Sequence, residues 1–118
     1  MIRYEFPWPP SELNPNARVH WRTLAKAKRD YKEACGWAIL HVSLAQLSPP
    51  VTAQVTFVVP DKRRRDTDNH MAMLKPCFDA LVEFVLEDDS HDKLKILTPK
   101  WERGERKVIV ELGGRNGS

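Results

Sequence analysis

From Val51 to Val59 every second residue is apolar: Val51, Ala53, Val55, Phe57 and Val59 alternate without a break. Side chains in a strand point to opposite faces in turn, so this pattern puts all five on one face of a sheet. That face has to be covered, and two helical patterns are available to cover it. Ala27, Tyr31, Ala34, Ala38 and Val42 recur at three- and four-residue steps within Thr23–Leu47, which Ser48-Pro49-Pro50 should stop. Leu74, Phe78, Leu81 and Val85 form the apolar stripe of a second helix, expected from a capping Asp68 to about Leu86. Pro76 falls inside that stretch and predicts a kink or break, because it lacks a backbone donor.

The remaining segments read as strands. Ile2, Tyr4 and Phe6 alternate up to Pro7-Trp8-Pro9-Pro10, where the ladder cannot continue. Two closing strands are expected around Leu94–Trp101 and Arg106–Leu112, flanking a turn at Arg103-Gly104. The order is β-α-β-α-β-β, an α/β (α+β) domain over 1–112 with a mixed sheet and two helices packed against it. Residues 113–118, rich in glycine, read as a flexible C-terminal tail.

At 118 residues and 42% hydrophobic content, the chain can build one modest core. A surface cleft, or a site completed by a second subunit, suits this length better than an enclosed cavity. Cys35 and Cys77 have no motif spacing, so no disulfide framework is expected and a reducing compartment is the default. There is no membrane-span pattern and no signal-peptide pattern, which makes a soluble, cytoplasmic protein the expectation.

The formal net charge of +3 implies no partner by itself, but the charge is unevenly placed. Lys62, Arg63, Arg64 and Arg65 stand immediately before Asp66 and Asp68, and a separate acidic cluster lies at Glu87, Asp88, Asp89 and Asp92. If the backbone at Asp66-Thr67-Asp68 is extended, both carboxylates point to one side. Two close carboxylates suit a hard cation such as Mg²⁺, which is usually held by one or two carboxylates with water and substrate phosphate. Further ligands would come from Asp88 and Asp89. The plainer reading is that Asp68 caps a helix and Asp66 balances the arginines. An EF-hand does not fit, since Met71 stands at its glycine position and Cys77 at its final glutamate. Zinc is disfavoured because His20, His41, His70 and His91 are scattered and neither cysteine has a close cysteine partner. The four cations are either solvated charge or phosphate binders, and their adjacency to the acids favours phosphate, because a phosphodiester-cleaving site must touch one phosphate with both.

The segment Pro60-Asp61-Lys62-Arg63-Arg64-Arg65-Asp66-Thr67-Asp68-Asn69 resembles the signature of the RusA family of Holliday-junction resolvases. Three further blocks agree in order: Pro7-Trp8-Pro9-Pro10-Ser11, Lys75 through Phe78-Asp79-Ala80-Leu81, and Asp88-Asp89. The resemblance implies a homodimeric, Mg²⁺-dependent endonuclease (Mn²⁺ as a possible substitute) that places paired nicks in four-way DNA junctions. It implies Asp66, Asp68 and Asp89 as catalytic, metal-binding carboxylates, with Asp88 able to exchange with Asp89. Lys75 matches the family's essential lysine, and Asn69 joins Lys62, Arg63, Arg64 and Arg65 on the DNA side. Lys75 follows Asp68 by seven residues. That is about two helical turns, longer than in the family's founding member. A salt bridge to Asp79 is the plainer role for Lys75, and a core or interface anchor is the plainer role for Trp8. The alternatives are a nuclease acting on other branched DNA and a non-catalytic DNA-binding module of the same fold.

Overall fold

The computed structural model describes residues 2–42, 47–61, 65–86 and 93–115, Arg115 by its backbone alone. In chain order the elements are β1 (Ile2–Phe6), a 3-10 turn (Ser11–Leu13), α1 (Trp21–Val42) and β2 (Ser48–Val59). There follow α2 (Thr67–Ala72), α3 (Lys75–Phe84), β3 (Leu94–Ile96), β4 (Lys100–Arg103) and β5 (Lys107–Arg115). They make one α+β domain with a mixed sheet.

The alternating segment is the centre of that sheet. β5 pairs antiparallel along one side of β2, from Val58↔Lys107 to Ser48↔Arg115, with an irregularity between Ser48 and Thr52. β1 adds antiparallel to β5, Ile2 opposite Leu112 and Phe6 opposite Val108. On the other side β3 and β4 both run parallel to β2, β3 beside Val51–Ala53 and β4 beside Thr56–Val59. The single strand expected over Leu94–Trp101 is therefore two. Leu97 still donates to the Ala53 carbonyl at 2.9 Å, but Pro99 has no amide hydrogen with which to extend the ladder.

The two closing strands do not pair with each other, for they lie on opposite sides of β2. The turn at 104–106 carries the chain over the C-terminal end of β2, where the Gly104 amide donates to the Val59 carbonyl at 2.9 Å. A β-carbon at Gly104 would lie 2.9 Å from Val58 Cγ1, so a side chain there would force Val58 to shift. The expected tail at 113–118 also needs correction: β5 continues through Gly113 and Gly114 to Arg115, because β2 begins early enough to pair with it. Residues 116–118 lie outside the described residues.

Helices α1 and α3 cover one face. The buried line of α1 is Ala27, Tyr31, Cys35, Gly36 and Ile39. Of the expected stripe, Ala27 and Tyr31 are buried, Ala34 and Ala38 are half-buried beside that line, and Val42 is exposed. α1 also starts before Thr23, and Ser48-Pro49-Pro50, expected to stop the helix, opens β2. In the second helical region Leu74, Phe78, Leu81 and Val85 are all buried as expected. They join Tyr4, Phe6, Val55, Phe57, Val108, Val110 and Leu112 in one core. The Tyr31 hydroxyl donates to the Pro7 carbonyl at 2.8 Å, tying α1 to the end of β1. Burial pushes the Tyr31 phenol and the Cys77 thiol well above their ordinary values.

Candidate active site

The acidic pair sits where the chain leaves β2 and enters α2. Asp66 is the N-cap, with an extended backbone (φ −82°, ψ 109°), and its Oδ1 accepts the Asn69 amide hydrogen at 3.1 Å. The cap is thus Asp66, one position outside the helix, and not Asp68. Asp68 is the second residue of the helix, in its first turn. Both carboxylates are exposed. They do not share an extended backbone; a cap and a first-turn residue are brought together instead, both at the positive end of the helix dipole.

Helix α2 has six residues, none of them buried. A helix this short is marginal by itself, so its position depends on tertiary contacts. His70 supplies one of them. Its Nδ1 lies 2.7 Å from the Asp66 carbonyl oxygen. A carbonyl can only accept, so Nδ1 carries the proton. The imidazole packs among three aromatic rings, with centroids 5.3 Å from Trp101, 5.7 Å from Trp8 and 5.9 Å from Phe57. Phe57 and Trp101 stack at 4.7 Å. Trp101 Nε1 donates to Thr67 Oγ1 at 3.1 Å, fixing the first helical residue, which lies between the two acids. Arg106 stands over the Trp8 ring at 5.5 Å. Strands β2 and β4, the proline-rich turn and the 104–106 crossing therefore all converge on the base of α2.

Trp8 is a half-buried member of this cluster, in keeping with the anchoring role. Neither the cluster nor His70 was foreseen from the sequence. The four-residue step from Asp66 to His70 is a local signal that could have pointed to it. The tryptophans come from distant parts of the chain and leave no local trace.

The basic run divides. Arg65 has a side chain only 10% exposed, and its Nη2 lies 3.0 Å from Asp61 Oδ1. In this arrangement its charge is engaged by Asp61. Lys62, Arg63 and Arg64 lie outside the described residues, as do Asp88 and Asp89. Asn69 is half-buried in the first turn of α2.

Lys75 needs a correction of place. The expected single helix is broken at Met73 and Leu74, and Lys75 opens α3, with Pro76 in the first turn where its missing donor costs little. Helical periodicity from Asp68 therefore does not set its direction. Its Nζ lies 2.9 Å from Asp79 Oδ1, the four-residue salt bridge that its spacing allowed.

Among the described residues no group of three or more His, Cys, Asp or Glu side chains converges on a point. The donor chemistry of Asp66 and Asp68 nonetheless suits Mg²⁺: two exposed carboxylates, with coordination positions left to water and substrate oxygen.

No family model matches the chain. A protein of Xylella fastidiosa (strain Temecula1), described only as uncharacterized, is 37% identical over 115 residues, spanning 92% of this chain and 73% of that protein. The chain belongs to the same protein family as this Xylella fastidiosa protein.

Proposed function

We propose that the protein is a Mg²⁺-dependent endodeoxyribonuclease that resolves four-way DNA junctions by paired nicks, as a homodimer, in DNA recombination and repair. The observation that carries the chemistry is the pair of exposed carboxylates at the start of α2, Asp66 as cap and Asp68 in the first turn, on a short helix braced by His70 and Trp101. The junction as substrate rests on the ordered RusA-like blocks. Asp88 and Asp89 are the proposed source of a third ligand. Mg²⁺ held by these acids, or Mn²⁺ in its place, would supply Lewis acidity to the scissile phosphate and favour ionisation of a water.

The chain's own side chains hold and orient. The exposed carboxylates of Asp66 and Asp68 would bind the cation, while the cap bond through Oδ1 limits rotation of Asp66. Lys75, oriented by Asp79, offers positive charge to the developing phosphate charge. Lys62, Arg63 and Arg64 would hold the flanking backbone, and Arg65, paired with Asp61, would add its charge beside them.

A two-fold dimer presents two equivalent sites to a junction of approximate two-fold symmetry. An apolar surface on α1, with Trp37 59% and Leu40 43% exposed, is a candidate face for it. The proposed compartment is the cytoplasm.

The test is junction cleavage with and without Mg²⁺ by the wild type and by Asp68→Asn. The variant should lose at least two orders of magnitude in nicking rate while binding the junction nearly as well. Full activity in Asp68→Asn would remove the metal site. Equal cutting of linear duplex and four-way junction at matched salt would remove the resolvase reading and leave a less selective nuclease.

A further inference from the structure

A groove of about 870 Å³ runs between the N-terminal half of α1, the turn after the 3-10 segment and the start of α3. Its lining carries four cations, Lys28, Arg29, Lys32 and Lys75, against two carboxylates, Glu12 and Asp79. Asp79 is already paired with Lys75. Lys32 reaches Glu83 at 2.9 Å outside the groove. Lys28 and Arg29 are exposed and form no ion pair with a described residue. Between the charges the floor is apolar, with Leu24 and Pro76 among its residues.

We propose that this groove binds the phosphodiester backbone of a nucleic-acid strand, with Lys28, Arg29 and Lys32 as its phosphate contacts. The assignment deepens the nuclease reading and rests on it for the identity of the polymer.

Three features favour it. Lys28 and Lys32 stand one helical turn apart, about 6 Å along α1, so they form a track of charge instead of a point. A positively charged groove is the kind of surface that tracks a nucleic-acid backbone. The groove also adjoins the acidic pair through α2. Asp68 lies in the first turn of that helix, Ala72 at its end lines the groove, and Lys75 follows. At 1.5 Å per residue α2 is about 9 Å long, so a strand with one phosphate at the acids reaches the groove within a few nucleotides. This groove lies at the C-terminal end of α2, so a strand engaged at the acids would be held on that side of the scissile phosphate.

The test is binding of a fluorescent four-way junction, and of a single strand, in EDTA, where cleavage cannot intervene. Affinity is measured from low to moderate salt for the wild type, Lys28→Gln/Arg29→Gln and Arg3→Gln/Lys107→Gln, the last removing equal charge from the β1–β5 edge. The groove variant should bind about tenfold more weakly or worse. Its slope of log affinity against log salt should flatten by about 1.8 for duplex arms, 0.9 for each lost phosphate contact. The edge variant should match the wild type. Circular dichroism and the charge-retaining Lys28→Arg/Arg29→Lys variant, expected to bind normally, separate lost contacts from lost structure.

An unchanged slope in the groove variant overturns the proposal while leaving the nuclease reading to the Asp68→Asn result. A flattened slope in a protein that never nicks DNA upholds the groove and removes the nuclease. Displacement of DNA by polyglutamate at equal charge would assign the groove to acidic polypeptide and overturn the proposal, as would failure of the wild type to bind either DNA.

Discussion

The proton on His70 Nδ1 satisfies the Asp66 carbonyl at 2.7 Å, while the ring lies against Trp8, Phe57 and Trp101. The bond fixes the backbone of the cap, and the packing fixes the helix that carries Asp68. His70→Phe keeps an aromatic ring in the cluster and deletes the donor. It should cost about 1 kcal/mol in urea unfolding, the net worth of one such hydrogen bond. If the cap must be held for catalysis, nicking should fall by more than junction binding does. Asp66 has two roles that substitution can separate. Asparagine caps helices as well as aspartate, so Asp66→Asn should leave the melting temperature nearly unchanged and abolish metal-dependent nicking. Asp66→Ala should lose nicking and about 1 kcal/mol of stability as well. Equal loss of stability in both variants would mean that the cap bond at 3.1 Å contributes little. At this scale the acids were legible, because residue type and adjacency carry their chemistry. The use of Arg65 was not, since a cation in a basic run looks the same whether it faces solvent or is 10% exposed against Asp61.

The departures from the simplest reading of the elements come at chain breaks and crossings. The helix expected from Asp68 to Leu86, with a kink or break at Pro76, does break, at Met73 and Leu74, and Pro76 enters the first turn of the new helix. This moves Lys75 off the axis that carries the acids. Likewise the run Arg103-Gly104 looks like a hairpin turn between neighbours, but it bridges strands on either side of β2. The crossing is tight enough to make a specific prediction. Gly104→Ala places a β-carbon 2.9 Å from Val58 Cγ1. Val58 is held in a central strand between β4 and β5 and has little room to yield. The substitution should cost about 1–3 kcal/mol of unfolding free energy, as overpacking does. A stability equal to wild type would show that the crossing can lift. Because Arg106 and Trp101 flank the same crossing, a lifted turn should also weaken the cluster beneath α2.

At the scale of the whole molecule, the core carries ionisable groups that the folded state keeps protonated. Burial raises the Tyr4 and Tyr31 phenols above the ordinary 10.0 and the Cys77 thiol above the ordinary 9.0. For such groups the unfolded chain releases protons first, so it binds fewer protons than the native state and stability falls as pH rises. The contribution is complete below about pH 9 and is lost progressively above it. Melting temperatures should therefore decline from pH 9 to pH 11. In Tyr31→Phe the decline should be shallower, from a lower starting value, because the hydrogen bond to Pro7 is gone. A flat profile over that range would contradict burial of these groups. Among the described residues no helix is long and apolar enough to cross a membrane.

Periodicity alone carried the central strand, both major helices and the α+β class, because a covered sheet face and an amphipathic helix impose their repeats on neighbouring residues. It carried the acidic pair for a similar reason: Asp66 and Asp68 are close in sequence and stay close in any fold. Strand order, the parallel edge formed by β3 and β4, and the side of β2 on which β5 lies were not available from local pattern. They depend on which edges meet, a matter of long-range pairing. The aromatic seat of α2 was decided in the same way. Trp8, Phe57, His70 and Trp101 come from separate segments, and only the folded sheet brings their rings to the base of the helix that presents the acids.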